Sequence, residues 1–123
     1  MSSIVVLVVE DDALIRLSIV DYLLDLGLLP VEADTADAAI AILESRADIR
    51  LVFTDVQMPG TMDGIQLARY VRERWPPTAI VICSATKQPG SDDLPTNCYW
   101  LAKPLDAYSI QLAVKTAKQW LND

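Results

Sequence analysis

Ile4-Val5-Val6-Leu7-Val8-Val9-Glu10-Asp11-Asp12 is the stretch on which the fold turns. Its first six residues are apolar without alternation, so both faces of the strand they form must be covered, as in the centre of a parallel sheet. The three acids that follow mark a turn. Asp12 is a good cap for a helix over residues 13–26, whose inward stripe is Ile15, Ile19, Tyr22, Leu23 and Leu26, with Gly27 as its stop.

The same alternation of strand and helix continues outward along the chain. A short strand fits Leu29 to Ala33, and Thr35 caps an alanine-rich helix to about Ser45. Leu51 to Thr54 reads as a third strand. After a loop holding Pro59 and Gly60, Asp63 caps a helix to about Arg74 with Ile65, Ala68, Val71 and Trp75 inward, ended by Pro76-Pro77. Ala79 to Cys83 reads as a fourth strand, Tyr99 to Ala102 as a fifth, and 106–121 as a last helix with Ile110, Ala113, Val114, Ala117 and Leu121 on one face. Strands alternating with helices predict an α/β domain, a doubly wound five-stranded parallel sheet. Between Ala85 and Cys98 the prolines at 89 and 95 and the glycine at 90 interrupt any helical run, so the fourth crossover helix is expected to be shortened or replaced by a loop. No repeat, linker or low-complexity tract divides the chain, and residues 1–123 read as one domain.

Composition narrows the chemistry. The 123 residues are 52% hydrophobic and carry 10 Lys and Arg against 17 Asp and Glu, a net charge of −7. That sign disfavours a nucleic-acid backbone as partner. The apolar stretches 4–9 and 26–31 fall far short of the ~20 residues a membrane span needs, which leads us to expect a cytoplasmic protein that inserts in no membrane. Cys83 and Cys98 have no metal-like spacing and read as small, semi-buried side chains. Histidine is absent altogether. Imidazole base chemistry, Ser-His and Cys-His nucleophiles and His-based zinc sites are thereby excluded. Carboxylates, hydroxyls, lysine and a hard metal ion remain.

In open parallel sheets functional groups gather beyond the carboxyl ends of the strands. Here those positions hold Glu10, Asp11 and Asp12 after the first strand, Asp55 after the third, Ser84 after the fourth and Lys103 after the fifth. Each has a plain reading as a turn, cap, loop or surface residue. Their convergence on one sheet edge favours a joint role. Carboxylates crowded together raise one another's pKa unless a cation shares the site, and oxygen ligands suit a hard divalent ion such as Mg²⁺.

These residues belong to a wider pattern: Val8-Val9-Glu10-Asp11-Asp12, Phe53-Thr54-Asp55-Val56-Gln57-Met58-Pro59-Gly60, Ile82-Cys83-Ser84-Ala85 and Ala102-Lys103-Pro104. In that order and at those separations the chain resembles the receiver domain of bacterial two-component response regulators, in particular the single-domain chemotaxis type. The resemblance implies the flavodoxin-like strand order 2-1-3-4-5. It also implies that Asp55 accepts a phosphoryl group from a phosphohistidine on a sensor histidine kinase or histidine phosphotransfer protein. Asp11, Asp55 and the carbonyl of Gln57 would ligate Mg²⁺, with Glu10 holding a metal-bound water. Lys103 and Ser84 would contact phosphoryl oxygens, and Lys103-Pro104 would be cis. Asp12 reads as a helix cap instead of a ligand.

Three departures from the family pattern bear on mechanism. Trp100 stands where a smaller Tyr or Phe usually turns inward with the hydroxyl of Ser84 as a switch, which puts the aromatic half of that switch in question. Only 18 residues separate Ser84 from Lys103, and the segment 87–95 is expected to order on phosphorylation. The loop 59–63 carries one residue more than its commonest form. The leading reading is a phosphorylatable receiver that signals by changed partner binding, whose acyl phosphate implies self-catalysed phosphotransfer and weak autophosphatase activity but not a conventional turnover enzyme. The competing reading is a non-phosphorylated interaction module of the same fold. A phosphatase with an aspartyl nucleophile would need an acid/base where Gln57 stands. A flavin binder would need amides and hydroxyls where Glu10 to Asp12 stand. Output is expected in another protein, a second copy, or a further part of a longer chain.

Overall fold

The computed structural model describes residues 3–60, 62–85 and 94–121. In chain order the elements are β1 (Val5–Val9), α1 (Ala13–Asp25), β2 (Leu29–Ala33), α2 (Ala36–Ser45), β3 (Ile49–Asp55), α3 (Gly64–Arg74), β4 (Ala79–Ser84), β5 (Cys98–Ala102) and α4 (Ala107–Leu121). The strands form one sheet in the order β2-β1-β3-β4-β5, and every pairing is parallel. The doubly wound order expected from the sequence is therefore present.

Period-2 alternation splits the strands between two cores. Val6, Val8, Leu51, Phe53, Val81 and Leu101 pack toward α1 and α4. Leu7, Val9, Val52, Ile80 and Ile82 pack with residues of α2 and α3. Residues 6–9 are fully buried, as a strand between two helical layers requires.

Helix starts follow local side-chain chemistry. The carboxyl of Asp12 accepts the N–H groups of Leu14 at 2.9 Å and Ile15 at 3.1 Å. The Thr35 hydroxyl accepts Ala38 N–H at 3.0 Å. Asp63 and Gln66 form a reciprocal capping box, and Asp106 Oδ1 accepts Ser109 N–H at 2.7 Å. Gly27, at φ 83°, follows the end of α1 in the left-handed region that favours glycine.

The structure corrects several details. Ile15 is 38% exposed; it stands on the flank of α1, where the inward positions are Ile19 and Leu23. In α3 the fully buried Leu67 joins Ala68 and Val71, a position the stripe drawn from sequence omits. β3 starts at Ile49, two residues earlier than expected, because Ile49 is buried beside exposed Arg50 in an ordinary alternation. Among the described residues no helix lies between β4 and β5; most of the segment expected to order on phosphorylation lies outside them. No helix of the described residues is long and apolar enough to cross a membrane.

Candidate phosphoacceptor site

The carboxyl ends of β1 and β3 bring three acids together. Glu10 follows β1 and is 1% exposed, Asp55 ends β3 and is 9% exposed, and Asp11 lies outside at the surface. One carboxylate oxygen from each of Glu10, Asp11 and Asp55 lies within 4.8 Å of the others. Lys103, just beyond β5, donates from Nζ to Asp55 Oδ2 at 3.1 Å and stands 3.8 Å from Glu10 Oε1. Asp12 is absent from this cluster, its carboxyl being used as the α1 cap.

Charge in this cluster is unbalanced. Glu10 Oε2 accepts the Asp12 N–H at 3.2 Å, whereas Oε1 is buried without a hydrogen-bond partner among the described residues. Burial pushes the Glu10 carboxyl up to about 7, aided by the adjacent Asp11 carboxyl and the charge of Asp55; the Asp12 amide and Lys103 offset this only in part. At Lys103 burial works against the ammonium, but the hydrogen bond and charge of Asp55 outweigh it and hold the pKa above its ordinary value. Three carboxylates thus face one ammonium. An orphaned carboxylate oxygen among hard oxygen donors fits a divalent cation of the Mg²⁺ kind.

The loop after β3 is held close by a glycine. Gly64 donates its N–H to Val56 O at 2.8 Å, and a Cβ there would run into the carbonyl oxygen of Asp55, with Asp55 C and Val56 Cα each at 2.8 Å. Thr54 Oγ1 donates to the same Asp55 carbonyl at 3.0 Å. The exposed Gln57 lines an open depression of about 550 Å³ with Asp11, Val56, Met58, Pro59 and Asp63. The depression lies directly beside the acid cluster.

On the other side, Ser84 ends β4 at 2% exposure, and its carbonyl accepts the Lys103 N–H at 2.8 Å. The Lys103-Pro104 bond is cis, as the resemblance implied. Trp100 is half-buried on the α2 and α3 side of β5. Its indole Nε1 is buried with no hydrogen-bond partner among the described residues. Both cysteines are free; burial pushes the Cys83 thiol far up and Cys98 up to about 11, so neither is a ready thiolate.

Two residues at the site escaped the sequence reading. Gly64 looked like any helix start. Arg16 donates from a guanidinium nitrogen to the Glu10 carbonyl at 2.8 Å and from Nε to Glu32 Oε1 at 2.9 Å. A cation near the start of a helix, where the dipole disfavours it, was the available signal.

Comparison with known proteins agrees with this architecture. Residues 6–98 match the response regulator receiver domain family. The chain is 42% identical over 80 residues to the response regulator protein FleR of Pseudomonas aeruginosa, covering 65% of this chain and 16% of that protein. It is 33% identical over 119 residues to the transcriptional regulatory protein ResD of Bacillus subtilis, covering 89% of this chain and 46% of that one. The chain therefore spans less than half the length of these curated relatives. A response regulator receiver protein from Sinorhizobium medicae superposes with a TM-score of 0.82 at 29% identity, covering 98% of this chain and 96% of that chain. The family match ends at Cys98, before Lys103, and the structural match carries the likeness through β5 and α4. From the first strand to the last helix, then, the chain belongs to the receiver domain family of two-component response regulators.

Proposed function

We propose that the chain accepts a phosphoryl group on Asp55 from a phosphohistidine of a partner kinase or phosphotransfer protein, and signals through changed partner binding. The observation that carries this reading is the meeting of Glu10, Asp11 and Asp55 within 4.8 Å with Lys103 Nζ 3.1 Å from Asp55. An oxygen of Asp55 attacks phosphorus, the P–N bond to the donor imidazole breaks, and that nitrogen keeps the electron pair. Asp11, Asp55 and the Gln57 carbonyl would hold Mg²⁺, with Glu10 beside them through a water. When bound, the ion supplies positive charge to the phosphoryl oxygens of a loose transition state.

The chain's own residues do the rest. Lys103, already paired with Asp55, would meet a phosphoryl oxygen once Asp55 carries the acyl phosphate. Ser84 is the hydroxyl for another, and Trp100 is the aromatic side chain whose packing would answer its movement. The acyl phosphate would carry about −1.5 to −2 charge in place of the single carboxylate charge of Asp55, a change at this edge that a partner would read. The chain's lack of histidine suits an acceptor whose donor imidazole is supplied by another protein.

Incubation with a small phosphodonor and Mg²⁺, followed by intact-mass measurement, tests the reading. The parent should gain one acid-stable, base-labile phosphoryl group, and Asp55→Asn should gain none. Equal labelling of Asp55→Asn would sink the assignment; an unlabelled parent that still binds its kinase would favour a constitutive interaction module.

A further inference from the structure

Arg16 lies four residues into α1, where a positive side chain opposes the helix dipole and where the carboxylate at that end, Asp12, is taken up as the cap. Its guanidinium is turned back across the start of the helix. One fork nitrogen donates to the main-chain carbonyl of Glu10 at 2.8 Å, and Nε donates to Glu32 Oε1 on β2 at 2.9 Å. The side chain is only 19% exposed. The carbonyl it holds belongs to the residue that begins the acid cluster, next to Asp11.

We infer that Arg16 is a positioning residue for the cation site: by tying the Glu10 carbonyl to β2 through Glu32, it holds the turn that aims Glu10 and Asp11 at Asp55. The Glu10 N–H is already held by Ala33 O at 3.1 Å. Arg16 therefore clamps the carbonyl side of a residue whose amide side is fixed to the same strand. The fork of the guanidinium suits two acceptors in different elements, and a lysine ammonium does not reproduce that planar geometry. The inference rests on the cation-site reading proposed above, and it concerns geometry and not charge.

Charge and geometry predict opposite signs here. Removing a cation next to an acidic site should strengthen Mg²⁺ binding by its field alone, whereas losing the clamp should weaken it, as loss of outer hydrogen-bond partners does for metal ligands. Mg²⁺ titration calorimetry on parent, Arg16→Gln, Arg16→Lys and the distant charge control Arg46→Gln separates them. Arg16→Gln and Arg16→Lys should both bind Mg²⁺ about tenfold more weakly, and Arg46→Gln should bind as the parent does. In metal-free Arg16→Gln the amides of Glu10 to Asp12 should also exchange faster. A folded Arg16→Gln that binds Mg²⁺ as tightly as the parent, or tighter, overturns the inference while leaving the phosphoacceptor reading intact; a lowered melting temperature with unchanged affinity shows a structural role only and also overturns it. If Arg16→Gln does not fold, Arg16→Lys decides alone. A parent that binds no Mg²⁺ overturns both readings.

Discussion

At the scale of single residues, the site depends on a missing side chain as much as on those present. Gly64 lets the start of α3 approach the Asp55 peptide so closely that the nearest atoms to a new Cβ are backbone, which has no rotamer to give way. Gly64→Ala should therefore push α3 and the loop after Asp55 apart, at about 1–3 kcal/mol, seen as an earlier urea midpoint. The same change should weaken Mg²⁺ binding, since Gln57 lies on the displaced loop. An unchanged midpoint would mean that the close approach relaxes freely.

At the scale of elements, one arginine gathers the residues that lead into β5. Arg72 of α3 donates to the carbonyls of Thr96 at 2.8 Å and Asn97 at 3.2 Å, and to those of Pro76 and Thr78 at 2.6 Å each. Its burial holds the guanidinium pKa below the ordinary value. The clamp thus joins the end of α3, the entry to β4 and the entry to β5. Arg72→Met should cost ~1–3 kcal/mol for the carbonyls left without their donor, measured by chemical denaturation. Neither this clamp nor the Arg16 clamp was legible in the sequence, because Glu32, Thr96 and Asn97 lie 16, 24 and 25 residues from the arginines they meet. The caps at Asp12, Thr35 and Asp63 were legible for the opposite reason: each is satisfied by amides two or three residues away. The outward placement of Ile15 was misread because helical period marks a stripe and not the edge at which a neighbouring layer stops covering it.

At the scale of the whole molecule, stability and proton uptake are coupled through Glu10. Its folded pKa of about 7 exceeds the ordinary 4.5, so the native state holds that proton more tightly than the unfolded chain does. Metal-free protein should accordingly become more stable as pH falls from 8 through 7 toward 5, the reverse of a depressed carboxylate. Mg²⁺ should remove much of this dependence by replacing the proton as the balancing charge. At about 100 times its Kd the ion should add ~2.7 kcal/mol, and calorimetric scans from pH 5 to 8 with Mg²⁺ or chelator check both statements. A pH trend of opposite sign in chelator would contradict the placement of Glu10 as a buried, undercompensated acid.

The order of elements, the caps and the gathering of Glu10, Asp11, Asp55, Ser84 and Lys103 at one sheet edge were determined by the sequence alone. They follow from apolar period, local hydrogen bonding and the rule that parallel strands end at a common edge. The pairing of Lys103 with Asp55 across 48 residues, the buried Glu10 oxygen that has no hydrogen-bond partner among the described residues, the glycine pressed against the Asp55 peptide and the reach of Arg16 to β2 were decided only by the tertiary structure. Those contacts join atoms distant in the chain, and their worth depends on burial and charge that exist only once both helical layers have closed over the sheet.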